Sequence, residues 1–146
     1  MLTPLGSVNP ARSTSFGSNC VGRAGRPTLG ILPQGDGPWI GEALSGEVTN
    51  VLNGMASQLV FGGRLASPLD LGFLSSPNCN LYLDLGLLIT IPVGGGRATF
   101  ALSVPRSPFL VGAIFPMQGL VINPGRGPTQ PLVATTNGIE LTIGMR

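Results

Sequence analysis

Histidine and lysine are absent from the 146 residues, and charged residues make up only 10% of the chain. Without histidine, the chain lacks the most common general base and cannot build an ordinary Ser-His-Asp triad. The acidic residues stand singly, with no paired spacing: Asp36, Glu42, Glu47, Asp70, Asp84 and Glu140. A carboxylate pair could still meet in space, as glycosidases require, but aromatic residues, which usually line sugar-cleaving clefts, make up only 5%. We therefore expect no enzyme, no catalytic residue and no cofactor.

Three further classes of function have little support. The chain has no histidine and no CxxC spacing, which argues against a zinc site. Asp36, Asp70 and Asp84 could bind calcium but are more simply explained as turn residues. The net charge is only +2 and the arginines are scattered, so nucleic-acid binding is not expected. The longest apolar run, Leu85–Pro92, is far too short to cross a bilayer. No signal peptide follows Met1, so we expect the signal of an exported protein to precede this numbering.

Glycine and proline are abundant, at 23 and 14 residues, while 42% of the chain is hydrophobic. Short apolar segments punctuated by turns are typical of all-β proteins. The clearest segment, Arg97–Val104, alternates apolar residues with small or polar ones at a period of two. Asn53-Gly54 predicts a hairpin and Gly94–Gly96 a tight turn. We predict an all-β fold, a two-sheet β-sandwich of Ig-like or jelly-roll type with seven or eight strands, over residues 27–146.

The predicted strand segments are 27–32, 39–52, 58–61, 81–92, 97–104, 109–123, 132–136 and 139–143. The region 81–92 is expected to be central, and 62–80 to be a long irregular connection. Pro116 predicts a bulge or a break into two short strands. Asn137-Gly138 predicts a second hairpin or a bulge.

Residues 1–26 are predicted to form an extended N-terminal arm. They are rich in proline, glycine, serine and threonine, and their apolar residues are too sparse to fold alone. The alternative is an unattached leader or an inter-domain linker. The residues expected to serve as the assembly arm are Leu2, Leu5, Val8 and Phe16, of which Leu2, Leu5 and Val8 are expected to fill pockets of a partner. The chain has too few charged side chains to cover the surface of a soluble monomer well. We therefore expect part of that surface to be buried against copies of the same chain.

Two cysteines, Cys20 and Cys79, allow one disulfide. Such a bridge would close a loop of about 60 residues and stabilise the fold by about 4 kcal/mol. The alternative is two buried free thiols in a cytosolic protein. The absence of lysine and the richness in serine, threonine, glycine and proline favour secretion, and with it the disulfide.

Seven short stretches share their order with a known domain: Phe16-Gly-Ser-Asn-Cys20, Pro27-Thr-Leu-Gly30, Ser67-Pro-Leu-Asp-Leu71, Pro77-Asn-Cys79, Ser103-Val-Pro105, Phe109-Leu-Val-Gly112 and Thr136-Asn-Gly-Ile-Glu-Leu-Thr-Ile-Gly144. In this order, the chain resembles a small β-sandwich domain of secreted proteins from planctomycete-type bacteria, often found at their C-terminus. The resemblance implies an extracellular or cell-surface setting and a Cys20–Cys79 bridge, and it implies no catalytic residue. The chain holds little besides this domain, which favours an independent subunit over an appendage.

The expected function is therefore an extracellular structural subunit that self-assembles into a filament or surface layer. An extended arm can pair with the open edge of a neighbour's sheet, and head-to-tail use of one arm and one acceptor does not close on itself. Two alternatives stay open. One is a carbohydrate-binding or adhesion module with a ligand platform at Trp39 and Tyr82, whose partners would be surface glycans. The other is a C-terminal sorting domain of a larger exported protein.

Overall fold

Eleven β-strands and one 3-10 helix form the secondary structure of the described residues. The structure is a computed structural model and describes residues 10–20, 25–32, 37–52, 54–71, 79–123 and 133–145. The strands are β1 (Arg12–Phe16), β2 (Thr28–Leu32), β3 (Ala43–Thr49), β4 (Ala56–Phe61), β5 (Arg64–Asp70), β6 (Asn80–Leu83), β7 (Leu87–Ile91), β8 (Val93–Gly94), β9 (Arg97–Ser103), β10 (Ile114–Ile122) and β11 (Val133–Thr142), and the helix is Pro108–Leu110. The all-β prediction is confirmed, although the strands are more numerous than expected and several have different bounds.

The strands form three antiparallel sheets. The largest has the order β1-β11-β10-β4-β7, the second has the order β2-β3-β9-β8, and β5 pairs with β6. Alternate side chains of the two larger sheets point into one shared apolar core, which includes Leu59 and Met117 from the first and Val48 and Phe100 from the second. Burial of this core is the main force that holds the two sheets together.

The β5–β6 pair lies on the other face of the five-stranded sheet and is held there by a buried glutamine. The Gln118 side chain accepts a hydrogen bond from the Tyr82 amide (2.9 Å) and donates to the carbonyls of Asn80 (2.8 Å) and Thr136 (2.9 Å). All three hydrogen-bond partners are backbone groups, so the amide satisfies its own hydrogen bonds while fixing β6 over β10 and β11.

Of the turn predictions, the one at Gly94–Gly96 is confirmed and the one at Asn53-Gly54 is not. Gly95 and Gly96 have φ of 64° and 83° and close the β8–β9 hairpin, as expected. The hairpin predicted at Asn53-Gly54 is wrong, because β3 and β4 belong to different sheets. Gly54 has φ of 90°, and Asn53 is outside the described residues. Between β3 and β4 the chain passes from one large sheet to the other instead of reversing within a sheet.

Asn137-Gly138 lies inside β11, which is one continuous strand and not the two segments predicted. The register shifts so that Gly119 of β10 faces two residues, Thr136 and Asn137, which is a β-bulge. The Asn137 side chain then accepts from the Leu29 amide (3.0 Å) and donates to the Leu29 carbonyl (3.1 Å), which ties β11 to β2 of the other sheet. Of the two expectations for this pair, the bulge is confirmed.

Three further strand predictions need correction. Residues 64–70, expected to be irregular, form β5. The region 81–92 divides into β6 and β7, and β7 is an edge strand of its sheet, not a central one. Pro116 lies within β10 without a bulge, opposite Glu140 and one residue before the pairing with β4 begins at Met117. Proline is tolerated there because its missing N–H faces no partner strand on that side.

Candidate functional site

Part of the predicted arm, residues 12–16, forms β1, the outermost strand of the five-stranded sheet. β1 pairs antiparallel with β11, from Arg12 opposite Thr142 to Phe16 opposite Gly138. None of the five side chains of β1 is buried. The strand is therefore attached mainly through its backbone, with one aromatic side chain at its end.

The chain enters β1 between two glycines that leave no room for a side chain. A Cβ atom at Gly37 would collide with the backbone of Ala11 and Arg12, and one at Gly144 would collide with the backbone of Pro10 and Ala11. The walls of this passage are joined by a hydrogen bond from the Gly144 amide to the Pro38 carbonyl (3.0 Å). We call the passage between Gly37 and Gly144 the glycine gate.

At the other end of β1, the Phe16 ring lies directly on the backbone of Gly138, where any side chain would occupy the same space. Tyr82 packs edge-on against this ring, with the centroids 5.9 Å apart. The Arg64 guanidinium carbon lies 4.0 Å from the Phe16 centroid, within cation–π range. Arg64 also reaches Glu140 at 3.8 Å, so the cation is held over the ring by a carboxylate of β11.

Tyr82 also holds the residues that follow β1. Its ring covers Gly17, whose φ of 68° suits glycine and whose missing side chain leaves space for the ring. Its hydroxyl accepts a hydrogen bond from the Ser18 amide (2.9 Å) and lies 3.3 Å from the Ser18 carbonyl. A single side chain of β6, that of Tyr82, therefore holds Gly17 and Ser18 at the end of the arm segment.

The disulfide lies two residues further on. Cys20 and Cys79 are bridged and almost fully buried, which confirms the predicted pair. The Cys20 amide donates to the Thr135 carbonyl (3.1 Å), and the Thr135 amide donates to the Cys20 sulfur (3.1 Å). Position 20 is therefore fixed to β11 by hydrogen bonds and to the start of β6 by a covalent bond.

An apolar groove of about 310 Å³ opens between the two larger sheets near the glycine gate. It is lined by Pro38, Leu44, Phe61, Leu102, Ser103, Val104, Pro105, Leu110, Phe115, Leu141 and Ile143. None of these described lining residues is charged. Phe115 on the rim is 42% exposed, and Phe109, next to Leu110, is 97% exposed. An exposed apolar surface of this kind commonly marks a place where another segment packs.

The structure places the predicted site residues in different surroundings. Phe16, expected to belong to the assembly arm, packs in this chain on its own Gly138 and Tyr82. Leu2, Leu5 and Val8 lie outside the described residues. Sequence reasoning missed the glycine gate and the contribution of Arg64, because no local pattern marks a glycine or arginine for a contact this distant in sequence.

The two residues of the predicted ligand platform are not brought together. Tyr82 packs at Phe16, opposite Gly138 in the middle of β11, whereas Trp39 bridges Gly144 beyond the end of that strand. Six residues of extended chain span about 20 Å, too far for one sugar ring to stack on both side chains. Tyr82 is instead occupied by the arm segment.

The described acidic residues serve several local roles. Glu47 pairs with Arg97 (2.9 Å), Glu140 with Arg64 (3.8 Å), and Asp84 accepts from the Gly63 amide (3.1 Å). Among the residues that the structure describes, no group of three or more histidine, cysteine, aspartate or glutamate side chains could hold a metal ion. Asp36 lies outside the described residues.

No helix in the described part of the chain is long and apolar enough to cross a membrane. Comparisons with protein-family models, with curated proteins and with solved structures find no match to this chain.

Proposed function

We propose that the protein is an extracellular structural subunit, a two-sheet β-sandwich whose copies assemble into a filament or surface layer by exchanging their N-terminal arms. The observation that carries the proposal is the placement of β1, an edge strand without buried side chains that ends at Phe16, a short linker before the disulfide-bonded Cys20. In an assembly, β1 of one copy pairs with β11 of the next.

The attachment of β1 supports exchange because it is made largely of backbone hydrogen bonds. An identical strand from a neighbouring copy offers β11 the same N–H and C=O groups in the same register, and brings the same Phe16 ring to Gly138. Strand addition of this kind is a common mode of association at sheet edges. The bonds that close a subunit on itself can therefore be remade between subunits at little cost.

The Cys20–Cys79 bridge supports the proposal that the exchanged segment ends before Cys20. Residues after Cys20 stay with their own body, since Cys20 is bonded to both Cys79 and Thr135. Gly17, Ser18 and Asn19 lie between this fixed point and β1, and Gly17 already has a positive φ. A change of backbone direction at these three residues is enough to release β1 while the other strands of both large sheets stay in place.

Two further features support the form and place of the assembly. Each copy supplies one arm and one β11 edge, and head-to-tail use of such a pair generates an open chain of subunits when it does not close into a ring. The buried disulfide supports an extracellular setting, because such bonds persist in oxidising compartments.

Paired cysteine substitutions test the exchange. Arg12 and Ile114 both face Thr142 in the sheet, from β1 and β10 respectively. We expect R12C/T142C to form covalent ladders between chains on non-reducing gels of assembled protein. The matched variant I114C/T142C joins β10 to β11 within one body and is expected to run as a cross-linked monomer.

The result that overturns the proposal is assembled protein in which R12C/T142C cross-links only within single chains. A purified full-length chain that forms no assemblies by negative-stain microscopy, at any concentration that keeps it folded, also overturns it. Deletion of residues 1–16 gives a second readout. It is expected to leave a soluble folded monomer, and filaments that persist after this deletion contradict the arm model.

A further inference from the structure

We infer that the apolar groove near the glycine gate is the docking site for residues 2–8 of whichever arm supplies β1 to that sheet. The inference rests on the proposed function for the identity of that arm, which in an assembly belongs to a second copy. The groove itself, and the fit of the segment to it, do not depend on exchange.

The position at which the described chain begins supports this occupant. Pro10 lies against Gly144, whose neighbour Ile143 and whose hydrogen-bond partner Pro38 both line the groove. Pro10 does not line the groove itself, but it lies next to these two lining residues, so the chain before it starts close to the groove. Nine residues of extended chain reach up to about 30 Å, which is more than enough to follow a groove of this size.

The chemistry of the segment matches that of the groove. Residues 1–9 contain no charged side chain, and their large apolar residues Leu2, Leu5 and Val8 recur every third position. A spacing of three places these side chains on one face of an extended polyproline-type segment. Apart from Ser103, the groove is lined by aliphatic, aromatic and proline side chains, so burying this face removes apolar surface from water on both partners.

The placement also gives the groove a role in assembly. Because Pro10 and Ala11 lie in the glycine gate just before β1, an arm that pairs with β11 brings its first residues close to the groove of the same body. A neighbour's arm would thus be held at two places, by backbone pairing along β11 and by apolar contacts in the groove. Two linked contacts bind much more tightly than either alone, because the second forms at high effective concentration.

Cross-linking of the full-length protein tests the docking. We expect L5C/F115C, with one cysteine in the arm and one on the rim of the groove, to cross-link at least tenfold faster under mild oxidation than L5C/L69C. Leu69 is a suitable control, because it is exposed to a similar extent (50%, against 42% for Phe115) but does not line the groove. L5C/L110C provides a second pair on the groove wall if the Phe115 substitution impairs folding.

The outcomes separate this inference from the proposed function. A ladder of L5C/F115C cross-links between chains supports both. Fast cross-linking within single chains supports the groove and contradicts exchange. Equal rates for the groove and control pairs, in protein whose R12C/T142C variant still forms ladders, overturn the groove and leave exchange intact.

Discussion

The aromatic rings of Phe16 and Tyr82 meet edge-on, with their planes 73° apart, at the junction of β1, β6 and β11. Phe16 belongs to the strand that we propose to be exchanged, and Tyr82 belongs to the body. Their contact joins the strand to the body through side chains, as do the Arg64 cation over Phe16 and the hydrogen bond from the Asn137 side-chain amide to the Ser15 hydroxyl. Such contacts turn a backbone pairing that any extended strand could make into one that favours this strand. Edge-to-face pairs contribute about 0.5–1.5 kcal/mol beyond their buried area.

The hydroxyl of Tyr82 should slow the release of the arm. We expect Tyr82→Phe to keep the ring contact but lose the hydrogen bond from the Ser18 amide, at a cost of about 1 kcal/mol. Hydrogen exchange of the β1 amides should then become about fivefold faster, while the amides of β10 serve as an internal control. Unchanged protection of β1 would show that Tyr82 does not latch the arm.

The glycine gate should tolerate no side chain. We expect Gly144→Ala to displace Pro10 and Ala11, because its Cβ would overlap their backbone, and to lower the free energy of unfolding by about 1–3 kcal/mol. Urea denaturation checks this, with Gly30→Ala as the matched control. Gly30 lies in a strand with nothing within 4 Å of an added Cβ, so its substitution should be neutral or slightly stabilising. Equal midpoints for the two variants would contradict the gate.

The disulfide should add substantially to the stability that the buried core gives the isolated subunit. Replacing both cysteines, as C20S/C79S, removes a cross-link between residues 59 apart and should cost about 4 kcal/mol if the effect lies in the unfolded chain. Urea denaturation with and without reductant measures the loss. Reductant should destabilise the natural sequence and leave the variant unchanged, and equal midpoints for the two proteins would contradict this estimate.

Local patterns in the sequence predict the all-β class and the tight turn at Gly94–Gly96, which closes the β8–β9 hairpin. The Cys20–Cys79 pair is predicted instead from the overall composition, which favours secretion, in a chain with only two cysteines. The alternation in Arg97–Val104 and the glycines at 94–96 act over a few residues, so their outcome did not depend on distant parts of the chain. Asn53-Gly54 has an equally strong local pattern, yet the strands on either side join different sheets. The choice between a hairpin and a crossing is made by the shared core, which a local pattern does not contain.

The candidate site was predictable only in outline. The composition of residues 1–26 indicated an arm, but the pairing of residues 12–16 with β11 depends on a register set across the whole chain. Gly37, Gly138 and Gly144 read as ordinary turn or strand glycines in the sequence. Their use becomes visible only when Pro10, Ala11 and Phe16 are found against them.

The position of the disulfide has a mechanical consequence for an assembly under tension. A tensile force applied to β1 through its pairing with a neighbouring subunit reaches the body at Cys20. The disulfide then transmits the force directly to Cys79, at the start of β6. The 58 residues enclosed by the bridge cannot be drawn out in line, so β2 to β5 are shielded from the load. A fibre built in this way would be stiff, and it would part at the strand contact before its subunits unravelled.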